Sequence, residues 1–107
     1  MTGVDFRVPK QYDLTGAQEL IEKVCSAHGL SMAMKGDLKA FPGCVHWHYK
    51  NRGQKGTLEI TLYPEARRIW AQVHNRRGAP WIDKELPVLR REIERELQHA
   101  CTSGLAG

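Results

Sequence analysis

Residues 44–75 read CVHWHYKNRGQKGTLEITLYPEARRIWAQVHN, three short runs in which apolar and polar side chains alternate, separated by turn-forming residues. A period of two is the signature of a strand with two unlike faces. One parity collects Val45, Trp47, Tyr49, Leu58, Ile60, Leu62, Ile69, Ala71 and Val73, an apolar surface that must be buried. The other collects His46, His48, Lys50, Thr57, Glu59, Thr61, Arg68, Trp70, Gln72 and His74. A merely solvated face has no need of three histidines and a tryptophan, so this second surface is where function is sought.

Working outward, the Asn51–Lys55 stretch with Gly53 and Gly56 is expected to be a basic hairpin loop, and Pro64-Glu65-Ala66 a tighter turn. Short connections make the sheet an antiparallel meander. Upstream, Thr15 followed by Gln18 has the spacing of a capping box, and Ala17, Leu20, Ile21 and Val24 then recur at helical spacing until Gly29. Downstream, Ile82, Leu86, Leu89, Ile93, Leu97 and Ala100 form the apolar stripe of a second helix, with Pro87 marking either a kink or the true start. Residues 1–12 hold a short alternation, Val4, Phe6 and Val8, broken by Pro9, which is expected to be an edge strand or an extension. Leu30, Met32 and Met34 alternate too briefly to distinguish strand from irregular chain, and residues 102–107 are expected to fray as a flexible tail.

The chain is therefore expected to form one α+β domain over residues 1–107. Its two layers are a three-stranded antiparallel meander, with a possible fourth short N-terminal strand, packed on two helices in the order α-β-β-β-α. A length of 107 residues and 41% hydrophobic content suffice for one core and not two. Three cysteines without paired spacing, and no charged-then-apolar leader, lead to the expectation of a reduced, cytoplasmic setting, and no apolar run approaches the ~20 residues of a membrane span.

In element order the chain is similar to double-stranded RNA-binding domains and to the small HicA-type ribonuclease toxins, whose first strand carries an early histidine. Gly43-Cys44-Val45-His46 is a loose counterpart of the toxins' glycine-serine-histidine motif. The second helix opens with PWIDKELP, without the lysine cluster by which the RNA-binding domains hold phosphates. Shared topology does not carry function.

Parity and loop length predict a register in which His46 faces Thr61 and Trp70, and His48 faces Glu59 and Gln72, with Lys50, Thr57 and His74 in the next row. His46, His48 and Glu59 are the catalytic candidates, because an imidazole beside a carboxylate suits proton transfer near neutral pH. No nucleophile accompanies them: Cys44 shares their parity and nothing marks it as activated. The same three residues are metal-ligand types, but a spacing of about 4.8 Å between strands and 3.3 Å between residues puts His74 about 11–12 Å from His48 at Cα. That leaves an incomplete ligand set, and neither a metal nor another cofactor is expected.

Sixteen Lys and Arg against twelve Asp and Glu give a net charge of +4. Lys50, Arg52 and Lys55 are expected to approach Arg76 and Arg77 at one sheet edge, beside the start of the second helix, whose free N–H groups favour phosphate. With Arg68, Trp70 and His74 these form the candidate nucleic-acid contacts, RNA being favoured over DNA. Two alternatives are kept: a protein-interaction or homodimerisation module using the Trp70 face, and a small ribonuclease with a sheet-borne histidine.

Overall fold

The computed structural model describes residues 2–12, 14, 16–74 and 78–106, and it is an α+β fold. Strand β1 (Thr2–Asp5) precedes helix α1 (Ala17–Ala27). Four strands follow, β2 (Leu30–Leu38), β3 (Phe41–Asn51), β4 (Leu58–Tyr63) and β5 (Arg68–Val73), and helix α2 (Pro80–Ala106) closes the chain. The sheet is five-stranded and antiparallel in the order β1-β5-β4-β3-β2.

Two expectations change here. The meander between the helices has four strands, since Leu30–Leu38 pairs with β3, and the N-terminal strand is present as the partner of β5. The period-two signal failed in β2 because its register shifts between Met32 and Met34 and again between Gly36 and Leu38. The first shift places one extra residue, Ala33, in β2, and at the second four residues of β3, 42–45, stand against Asp37 alone, so the alternation is broken on both sides of Gly36.

The register of the central strands matches the parity reading. His46 pairs with Thr61 and His48 with Glu59, while Thr61 pairs with Trp70 and Glu59 with Gln72. Consequently Trp47, Tyr49, Leu58, Ile60, Leu62, Ile69 and Ala71 share one hydrophobic cluster with Ala17, Ile21 and Val24 of α1 and Ile82, Leu89, Ile93 and Leu97 of α2. Burying each such side chain contributes roughly 1.5–3 kcal/mol against its exposed state.

At the start of α1 the N-cap is Gly16, in a left-handed conformation and making no side-chain cap bond; Thr15, the expected cap, lies outside the described residues. Pro87 sits inside α2, so the carbonyl of Asp83 has no helical N–H to receive there. The helix runs on to Ala106, across the stretch expected as a tail. Between β4 and β5 the expected turn is a 3-10 segment, Pro64–Ala66. The left-handed Arg67 that ends it donates to the carbonyls of Pro9 (2.6 Å) and Lys10 (2.8 Å), which fastens the N-terminal segment. No helix among the described residues is long and apolar enough to cross a membrane.

Candidate functional site

Both helices cover one side of the sheet, yet several polar residues on the other side are also buried. His46 is 2% exposed, Glu59 3% and Thr61 0%. Their cover is the β2–β3 hairpin. Phe41 lies five residues before His46 on β3, but its ring packs at 5.1 Å from that of Trp70, two strands away, and at 5.3 Å from Tyr63. The end of the hairpin is therefore folded across the sheet. Gly43 (φ 85°) takes the left-handed backbone conformation that this bend in β3 uses, and the shifts in β2 supply the matching bend in the partner strand.

What the flap leaves open is a hollow of about 430 Å³, lined by Met34, Leu38, His46, His48, Glu59 and His74. Four titratable tips meet on its floor. His46 Nε2 is 3.1 Å from Glu59 Oε1 and 3.2 Å from His48 Nε2. His48 Nε2 is 3.6 Å from the same Oε1, and His74 Nε2 is 3.2 Å from the second oxygen, Oε2. Around this centre, Thr61 Oγ1 bonds His46 Nδ1 at 2.8 Å and the Gln72 amide donates to Glu59 Oε1 at 3.4 Å. Burial pushes the His46 imidazole below its ordinary pKa, outweighing the pull of the Glu59 carboxylate; the neighbouring imidazoles of His48 and His74 push the same way. Burial in this way favours the neutral form of His46.

The catalytic candidates His46, His48 and Glu59 are brought together, with one donor atom from each lying within 4.8 Å of the others. His74 stays outside that donor set, in keeping with its backbone distance from His48, but its Nε2 meets the second oxygen of Glu59, which lies on β4 between the two histidine-bearing segments. The two ring partners Thr61 and Gln72 carry no signal in the sequence beyond their parity. Met34 and Leu38 were missed because β2 was unreadable.

No protein-family model, curated protein or solved structure matches this chain. The arrangement has to be interpreted from its own chemistry.

The basic residues separate into two groups. Lys50, Arg52 and Lys55 are exposed on β3 and the loop after it, and Trp81 at the start of α2 donates its indole N–H to the Lys55 carbonyl at 2.7 Å. That bond places the loop against the helix start, as expected, around a hollow of about 380 Å³ lined by Asn51, Gln54, Pro80, Trp81, Lys84 and Glu85. Arg76 and Arg77 lie outside the described residues. Arg68 is at the opposite end of the sheet, paired to Asp5 at 2.8 Å and stacked 4.5 Å over the Trp70 ring. Trp70 is 8% exposed. Burial, the T-shaped contact with Phe41 and the guanidinium of Arg68 over the ring leave little of Trp70 for a stacked base.

Proposed function

We propose that this chain binds a phosphate-bearing partner, nucleic acid in the first instance and RNA ahead of DNA, at the end of the sheet where Lys50, Arg52 and Lys55 project. The observation that carries the reading is the Trp81–Lys55 bond, which holds a basic loop beside the first turn of a 27-residue helix. Cations beside the positive end of a helix dipole favour an anion over solvent. Lys84 adds a further positive charge, Asp83 and Glu85 dilute it, and Arg76 and Arg77 are close in sequence. His74 lies on the route from this end into the histidine floor.

The alternative of an interaction or dimer surface centred on Trp70 is less well supported, because the tryptophan is already covered within the chain. The ribonuclease alternative keeps its histidines beside a carboxylate, and the attacking group would be the substrate's own 2′-hydroxyl or water.

Fluorescence anisotropy with single- and double-stranded RNA and DNA, at two salt concentrations, tests the proposal. The expected result is binding at low salt that weakens steeply as salt rises, with the combined K50E/R52E/K55E substitution lowering affinity at least tenfold and flattening the salt dependence by about three ion equivalents. Failure of all four nucleic acids to bind at low salt would remove the reading.

A further inference from the structure

The contacts on the floor of the hollow leave an accounting problem. His46 Nε2, His48 Nε2 and Glu59 Oε1 form a closed triangle with sides of 3.1, 3.2 and 3.6 Å. All three atoms carry lone pairs in the plane of their groups. A proton on one of them satisfies a single side of the triangle and leaves the others as lone pairs facing lone pairs. When His46 Nδ1–H donates to Thr61, its Nε2 has no proton to offer at all. The second oxygen of Glu59 adds to the problem: Oε2 is buried and accepts no hydrogen bond among the described residues, although His74 Nε2 stands 3.2 Å from it. Buried polar atoms in native proteins are ordinarily satisfied, so a carboxylate with Oε2 orphaned and Oε1 facing two imidazole nitrogens calls for positive charge beside it.

A cation at the centre satisfies all three sides together. Ligands bound at 2.0–2.2 Å in tetrahedral array stand about 3.3–3.6 Å from one another, close to the observed sides. A point roughly 2.1 Å from all three donors lies about 0.9 Å out of their plane, the shallow pyramid of a tetrahedral ion with its fourth position unfilled by protein. Two imidazoles and one carboxylate, with no thiolate, suit a borderline divalent ion: calcium and magnesium favour all-oxygen sites and copper(I) favours sulfur. Cys44 is no competitor for the role, since its sulfur accepts the Leu38 N–H at 3.3 Å under the flap.

The surrounding groups have the positions that support ligands in such centres. Thr61 Oγ1, by accepting from His46 Nδ1–H, would leave His46 Nε2 free to ligate, while the Gln72 amide donates to Glu59 Oε1 and His74 Nε2 stands beside Oε2. We propose that His46, His48 and Glu59 bind one divalent ion of the zinc class, with His74 as a positioning residue and the open coordination position facing the hollow. The site is drawn from β3 and β4, whose direct pairing of His48 with Glu59 preforms it without the ion. This inference does not rest on phosphate binding, because ion uptake is measured with no nucleic acid present.

Protein purified without an affinity tag and stripped with a chelator would be titrated with Zn²⁺ by calorimetry and with Co²⁺ by visible absorption. One ion per chain is expected, with the intense d–d absorption of tetrahedral cobalt. H48A, at a half-buried position whose loss leaves the core untouched, should lower affinity at least 100-fold with an unchanged circular dichroism spectrum. H74A should lower it about tenfold, as removal of an outer partner does. H99A, on the exposed side of α2, serves as the control and should bind as the unaltered chain does. E59Q should abolish uptake. Should that variant not fold, H48A alone decides. Absence of one-to-one uptake of either ion, or equal uptake by H48A and the unaltered chain, would overturn the proposal.

Discussion

Substitution of Trp47 by alanine is expected to destabilise the protein by about 3–5 kcal/mol, as truncation of fully buried large aromatics does. Trp47 is 0% exposed and belongs to the cluster that joins the sheet to both helices. Its indole N–H also donates to Glu22 Oε2 on α1 at 3.0 Å, and that carboxylate is held in turn by Lys35 of β2 at 2.7 Å. Truncation therefore opens a cavity under the middle of the sheet and removes one of the bonds by which the Glu22 carboxylate ties α1 to the sheet. In a domain of this size the loss corresponds to a fall in melting midpoint of roughly 12 °C or more. Urea and thermal unfolding measure it, with V88A on the exposed side of α2 as a control expected to shift stability by about 0.5 kcal/mol or less. A loss below about 1 kcal/mol for W47A would show that the interface between layers does not depend on this ring.

The second large effect depends on pH. His28, just past the end of α1, bonds Glu85 of α2 through Nδ1 at 2.8 Å and Glu92 of the same helix through Nε2. Both nitrogens can donate only when the ring is protonated. Hydrogen bonding to Glu92, and next to Glu85, raises its pKa above the ordinary imidazole value, with burial opposing. A raised folded value means that the contribution is complete below about pH 6.5, where the unfolded ring is also charged, and is lost as pH climbs through the folded value. Replacement by alanine should cost about 1.5–3 kcal/mol at pH 6, the worth of hydrogen bonds to a charged group. At pH 9 the same substitution should cost little. Equal losses at the two pH values would mean that the ring acts by packing alone.

How much of this was legible in the chain depends on distance along it. Period two over residues 44–75 was enough to sort Trp47 from His48 and to pair His48 with Glu59, because side-chain alternation in a strand is a local, steric property. β2 was not legible, since its register shifts erase the period. The burial of Trp70 was not legible either: it depends on Phe41 arriving from two strands away, which follows from a glycine bend rather than from any pattern around residue 70. His74 shows a third kind of limit. Its face was read from parity, but the meeting with Glu59 depends on side-chain reach, which backbone spacing understates. The start of α1 illustrates competition between local signals, with Gly16 occupying the cap position that the Thr15–Gln18 spacing had suggested.

The two register shifts in β2 have an effect beyond shaping the flap. β2 and β1 are the outer margins of the sheet, where unpaired backbone groups invite a further chain to add. β1 offers only four residues, and β2, though nine residues long, is kinked twice and presents Lys35 and Asp37 near its second shift. A strand interrupted in that way makes a poor template for a growing fibril. The same irregularity that hides β2 from sequence patterning thus gives the molecule resistance to edge-to-edge aggregation.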